Sequence, residues 1–133
     1  MTQAIQRIDP PELSRPKGYS HGVVVPAGRL LFVAGQVAWD KEEKVVSDRF
    51  AGQFEQALAN FMAVVRAAGG SGEGIASMTV FVTDKDEYIA ESREVGAAWR
   101  KHVGKVFPAM ALVQVAKLLE PGAKVEIQGV VSL

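Results

Sequence analysis

Apolar residues along this chain hold one period for a stretch and then switch to another, and the switches divide it into elements. From Phe50 to Val65 the spacing is three or four residues. Phe50, Phe54, Ala57, Leu58, Phe61, Met62 and Val65 then fall on one side of a helix, as a core-facing stripe. Ser47 or Asp48 stands where a cap is wanted, and Gly69-Gly70 supplies a left-handed residue to end the helix. The run from Ile75 to Thr83 is β-branched and aromatic, lies between a glycine-rich stretch and Asp84, and predicts a strand. A second helix is expected from about Asp86 to His102, with Ile89, Val95, Trp99 and Val103 inward. Gly96 within it costs about 1 kcal/mol relative to alanine.

Upstream, His21 to Val25 and Leu30 to Ala34 are short apolar runs joined by Pro26-Ala27-Gly28-Arg29, which predicts a hairpin. A weaker strand is expected at Lys44 to Val46, after the charged turn Asp40-Lys41-Glu42-Glu43. Downstream, strands at Ala109 to Lys117 and Lys124 to Val131 flank Glu120-Pro121-Gly122. The order β-β-β-α-β-α-β-β describes an α+β fold, a sheet with two helices on one face. A chain of 133 residues fits a single domain over residues 1–133.

The strands are apolar on both faces. Met78, Val80 and Val82 oppose Thr79 and Phe81, and Ala111, Val113 and Val115 oppose Met110, Leu112 and Ala116. Two helices cover one face, so the other is expected to be buried against further copies of the chain.

Charge and composition then exclude function classes. Fifteen basic and fifteen acidic side chains cancel, which removes the long-range field a phosphate backbone selects, and no nucleic-acid partner is expected. With no cysteine there is no disulfide, thiolate metal site or thiol nucleophile. The opening MTQAIQRIDPPELSRP has no apolar core of leader length, and no run approaches the roughly 20 apolar residues of a membrane span. A cytoplasmic protein with no membrane partner is the expectation. His21 and His102, the two histidines, are far apart, and neither metal-ligand spacing nor a G-x-S-x-G elbow nor a P-loop occurs. The glycine-rich stretch Gly69 to Gly74 leads into a strand and lacks the Lys-Ser/Thr of a phosphate cradle, so it reads as a flexible connection. No metal and no cofactor are expected.

One polar residue stands out. In KVEIQGVV, Val125, Ile127, Gly129 and Val131 share one strand face, and Glu126 and Gln128 the other. A carboxylate in an otherwise apolar strand is either solvated at a sheet edge or held at a site, where burial would tune it as an acid or base.

GYSHGVVVPAGRLLFVAGQVAWD resembles the N-terminal signature of the Rid/YjgF family, which runs Gly-Pro-Tyr-Ser-Gln-Ala, a turn, and a strand ending in Ser-Gly-Gln. AAGGSGEGIASMTVFVTD is similar to the loop and strand after that family's first helix, and FPAMALVQVAKLLEPGAKVEIQGVV to its C-terminal hairpin. The resemblance runs in order from Gly18 to Val131. It implies a chorismate-mutase-like fold and a homotrimer with a small-molecule ligand in the cleft between subunits. It also implies cofactor-free hydrolysis of enamines and imines such as 2-aminoacrylate.

The matched positions imply Glu126 and Tyr19 as catalytic residues. Gly35, Ala34, Ser92, Met110 and Leu112 fall at substrate-binding positions. At four of these the chain departs from the family. Met110 stands where the carboxylate-binding arginine follows Pro-Ala, Leu112 where cysteine is common, Ala34 where serine is, and Ser92 at the helix asparagine. Losing a bidentate arginine would cost a carboxylate ligand about 2–5 kcal/mol, roughly 30- to 5000-fold in binding. A ligand less acidic than 2-aminoacrylate is therefore expected. Arg15, Lys17, Arg29, Arg93 and Arg100 are the cations that could replace the charge, and each reads first as a solvated surface residue. The competing expectation is a non-catalytic trimer that binds a small molecule. Ribonuclease activity, attached by name to some family members, is disfavoured by zero net charge and the absence of a basic stripe.

The two-faced sheet makes a direct prediction. Light scattering at micromolar concentration is expected to return a mass above that of one chain, three chains being the number the resemblance implies, and a monomer there would remove the expectation.

Overall fold

The stripe beginning at Phe50 becomes a helix in a computed structural model, which describes residues 5–133. Residues 1–4, the start of the proline-rich arm, lie outside the described residues. In chain order the elements are β1 (Gln6–Ile8), β2 (Gly22–Val24), β3 (Leu30–Gln36), α1 (Phe50–Ala67), β4 (Ile75–Val82), α2 (Lys85–Ala90), α3 (Ser92–His102), β5 (Ala109–Gln114) and β6 (Val125–Ser132).

All the stripe residues of α1 are buried. Its end follows from Gly69, whose φ of 85° places it in the left-handed region. The Gly69 N–H reaches the Arg66 carbonyl at 2.9 Å and the Gly70 N–H the Val65 carbonyl at 2.9 Å, so two of the final carbonyls are satisfied. The start differs from expectation. Arg49 is the boundary residue and receives no side-chain cap, while the Ser47 hydroxyl accepts from the Arg49 N–H at 3.0 Å, just ahead of the helix.

The main sheet has the order β3-β6-β4-β5, with β6 antiparallel to both neighbours and β4 parallel to β5. Helices α1 and α3 share a core with the face of Met78, Val80, Val125, Ile127 and Val131. The other face is open, with Phe32 73% and Val113 40% exposed. The two-faced sheet with helices on one side is thus present.

Pairing is where the order of strands misleads. The expected hairpin through Pro26–Arg29 does not form. β2 pairs with β1 in a separate two-stranded sheet, and β3 takes β6 as its partner. The C-terminal strands are no hairpin either, because β4 lies between β5 and β6. Lys44 to Val46 contributes only a bridge between Trp39 and Val45. There Asp40 Oδ1 accepts from the Glu42 and Lys44 N–H groups, so the charged turn closes locally without a ladder beyond it.

The expected second helix divides at Glu91 into α2 and α3. Arg49 sits across the break, 2.7 Å from Glu91 and 3.0 Å from Glu94. The hydrogen bond it donates to Glu91 and the charge of Glu94 hold its guanidinium above its usual pKa. The glycine-rich stretch is not a loose connection. Gly72–Gly74 forms a tight helical turn, with Gly72 and Gly74 buried. A Cβ on Gly72 would lie 2.6 Å from the Val103 carbonyl oxygen, and one on Gly74 would strike that of Ser132. Close backbone approach, not freedom to move, requires those glycines.

Gln53 is the buried polar side chain at the centre of the packing, 0% exposed. Its amide nitrogen donates to the carbonyls of Ser47 at 2.8 Å and Gly122 at 2.9 Å, and its oxygen accepts from the Lys124 N–H at 2.8 Å. Lys124 Nζ in turn lies 2.7 Å from Glu87 on α2. Helix and final strand are thereby fastened to each other. Replacing the amide with an apolar group leaves three partly buried backbone partners without their bond. Gln53→Leu is expected to lower stability by at least about 2 kcal/mol in urea denaturation. A change within about 0.5 kcal/mol, the range of ordinary surface substitutions, would show the clamp to be dispensable.

Candidate functional site

Glu126 lies between Val125 and Ile127, both turned into the core, and so faces the open side of the sheet. Its strand is interior, which removes the sheet-edge explanation for the carboxylate. The residue is half-buried opposite Phe81. Among the described residues no hydrogen bond or ion pair engages its oxygens.

The backbone next to it is irregular for a physical reason. Val33 pairs with Gly129 and Gln36 with Ile127, so β3 spends one more residue than β6 over the same span. This bulge places Ala34 and Gly35 beside Glu126, where bulges commonly re-aim a chain next to a site. A Cβ on Gly35 would stand 2.8 Å from the Glu126 Cδ and nearer still to Oε2. Glycine is therefore what leaves room for the carboxylate. Ala34 lines the adjacent depression of ≈ 400 Å³ with Phe32, Ser77, Thr79, Gln128 and Val130.

A second group forms at the start of β5. Ser20 is buried, with its N–H donating to the Pro108 carbonyl at 2.9 Å and its hydroxyl to that of Phe107 at 2.8 Å. These bonds and the bridge from Ser20 to Ala109 hold Tyr19 over Pro108-Ala109-Met110. The resulting depression of ≈ 370 Å³ is lined by Tyr19, His21, Ser77, Thr79, Ala109 and Met110. His21 lies outside the residues expected from sequence. Its ring meets that of Tyr19 edge-on, centroids 5.3 Å apart at 85°. Its Nε2 is 2.7 Å from the Ser14 carbonyl, which can only accept, so Nε2 carries the hydrogen. The available signal was its position directly after Tyr19-Ser20, where the resembling signature has a glutamine.

The structure thus brings Gly35 to Glu126, and Tyr19 to Met110. Met110 also packs against the core, as does Leu112 on the helix-covered face. Ser92 opens α3 in the helical layer, away from the open face. Neither Leu112 nor Ser92 joins the two groups. The depressions beside Ala34 and Tyr19 share Ser77 and Thr79, so they form one continuous surface. Along β4, however, the Tyr19 group sits at the row of Ser77 and Glu126 at the row of Phe81. Four residues of strand separate those rows by about 13 Å. Among the described residues no group of three or more His, Asp or Glu side chains is placed to hold a metal ion, and no helix is long and apolar enough to cross a membrane.

Comparison with known proteins gives a consistent result. The family model described as endoribonuclease L-PSP matches residues 12–133. The 2-iminobutanoate/2-iminopropanoate deaminase of Salmonella typhimurium is 31% identical over 106 residues, 80% of this chain and 81% of that one. RutC family protein y4sK of Sinorhizobium fredii is 34% identical over 134 residues, 100% of this chain and 99% of that one. Among solved structures, the Rid family protein YyfB of Yersinia pestis superposes with a TM-score of 0.84 at 27% identity, covering 98% of this chain and 100% of that one. The YjgF gene product of Escherichia coli superposes at 0.69 with 32% identity, covering 85% and 86%. Matched over nearly its whole length in sequence and in fold, the chain belongs to the endoribonuclease L-PSP family, the Rid/YjgF proteins.

Proposed function

We propose that this protein is an imine or enamine deaminase, hydrolysing the carbon–nitrogen bond of a small metabolite to a carbonyl compound and ammonia. The observation that carries the proposal is the Glu126 carboxylate, on an interior strand of the open face, with the Gly35 bulge leaving space at its oxygens. Relatives bearing the deaminase name support the reaction class. In the proposed step Glu126 accepts a proton from water as the oxygen adds to the imine carbon. The proton passes to nitrogen. Glu126 then takes the proton of the new hydroxyl and delivers it to the amine, so that the tetrahedral adduct collapses to the carbonyl as the C–N bond breaks and ammonia leaves. Tyr19 lines the depression in which the ligand's other side rests.

About 13 Å of strand between the two groups is too far for both to touch one small imine within a chain. We propose that the open face associates into a homotrimer, so that Glu126 of one copy meets the Tyr19 group of another. The exposed Phe32 and Val113 support association on that face, because such residues stay in water only at a cost.

Met110 gives the Tyr19 depression an apolar wall at the position implied for arginine. The ligand is accordingly apolar next to its carbon–nitrogen bond. The same methionine, packed partly into the core, favours a second reading in which the cleft binds a small molecule without turning it over.

Ammonia release separates the two. Turnover of imines lacking an adjacent carboxylate is expected in the wild type and at least about 100-fold less in Glu126→Gln, the lower range for loss of a general acid–base. Met110→Arg is expected to raise activity on 2-iminobutanoate by roughly 30-fold or more, the lower bound for a charged anchor. Saturable ligand binding with no product in any variant would establish the binding module instead.

Gly35 offers a finer test. The atoms its Cβ would meet belong to the flexible end of Glu126, so Gly35→Ala is expected to fold with a stability loss under about 1 kcal/mol while turnover falls about 10-fold or more. Full turnover in a folded Gly35→Ala protein would remove Glu126 from the chemistry.

A further inference from the structure

Tyr19 and Ser20 are a shared wall. On one side lies the depression with Met110, and on the other a second concavity of ≈ 390 Å³ whose lining includes Arg7, Arg15, Lys105 and Asp9. Three cations therefore face one carboxylate, in a chain whose charges cancel over its whole length. The carboxylate is already engaged, since Asp9 Oδ1 accepts the His21 N–H at 2.8 Å.

The cations differ in how they are held. Arg7 is half-buried and directed by the chain: Nε donates to the Phe107 carbonyl at 3.4 Å, Nη2 to that of Glu73 at 3.5 Å, and the Glu73 carboxylate is 4.0 Å away. Arg15 and Lys105 have no carboxylate within 4.0 Å and no side-chain hydrogen bond among the described residues. They come from distant parts of the chain, Arg15 from the arm before Tyr19 and Lys105 from the turn before β5. Like charges on one lining repel, and a concave wall with an excess of one sign, here three cations to one carboxylate, concentrates the field inside it. An oxyanion relieves that repulsion, with Arg15 free to offer its planar fork and Lys105 a point charge.

We infer that this concavity is an oxyanion site, taking the carboxylate or phosphate carried by a ligand at the end remote from its carbon–nitrogen bond. The link to that bond rests on the reaction proposed above; the anion site itself does not. The anion anchor has moved from the position of Met110 to the far side of the Tyr19–Ser20 wall. The substrate class is then a longer acid, apolar beside the imine and charged at its tip.

The test is calorimetric titration of the intact protein with inorganic phosphate and with succinate, at constant ionic strength set by chloride. Saturable binding of at least one probe is expected, weakened about 10-fold in Arg15→Ala and further in the Arg15→Ala/Lys105→Ala double variant. Both residues are exposed, so the variants are expected to keep the wild-type circular dichroism. Preference for phosphate identifies a phosphorylated ligand, and preference for succinate a distal carboxylate. No saturable heat from either probe, or undiminished binding in the double variant, overturns the site. Binding is read without turnover, so failure here leaves imine hydrolysis standing, and loss of hydrolysis in Glu126→Gln leaves this result readable.

Discussion

The last strand of the chain is the one on which the rest depends. β3 and β4 are separated by the whole of α1 in sequence and do not pair with each other; β6 enters between them and pairs with both. Its inward residues Val125, Ile127 and Val131 are fully buried, while Glu126 and Gln128 look outward. A slip of one residue would exchange the two sets, driving a carboxylate into the core. The register is held from the helical side, because Gln53 takes the Lys124 N–H and Glu87 takes its ammonium. Core packing and the placing of Glu126 are therefore one constraint.

The open face follows from the same arrangement. The helices occupy one side, and the other carries an unusual mixture: exposed Phe32 and Val113, polar Ser77 and Thr79, and a carboxylate kept clear by a glycine bulge. An apolar surface of this kind favours association, and polar groups set into it become sheltered when association occurs. Within one chain the Tyr19 and Glu126 groups are too far apart for a small ligand to bridge, so chemistry and assembly are coupled in the proposed site.

Several polar elements that look like surface features turn out to be fasteners. Arg49 ties the start of α1 to the break between α2 and α3, and the Asp40 turn closes on itself. The cations around Tyr19 are the exception, since Arg15 and Lys105 serve no such structural contact among the described residues.

Periodicity by itself determined α1, β4 and the two faces of β6, because burial on one side of a helix or strand leaves a repeat that needs no knowledge of the partner. The motif order likewise determined the family and singled out Tyr19, Gly35 and Glu126. Pairing was decided only in three dimensions. The turn at Pro26–Arg29 has hairpin chemistry, yet β2 and β3 part to different sheets because β1 and β6 offer ladders that local spacing cannot announce. The helix break at Glu91, the packed glycines 72 and 74, and the turning of Leu112 toward the core depend on contacts with residues remote in sequence. So does the meeting of Arg7, Arg15 and Lys105: a sequence carries their charges, but only the fold brings three distant cations to one wall beside Tyr19.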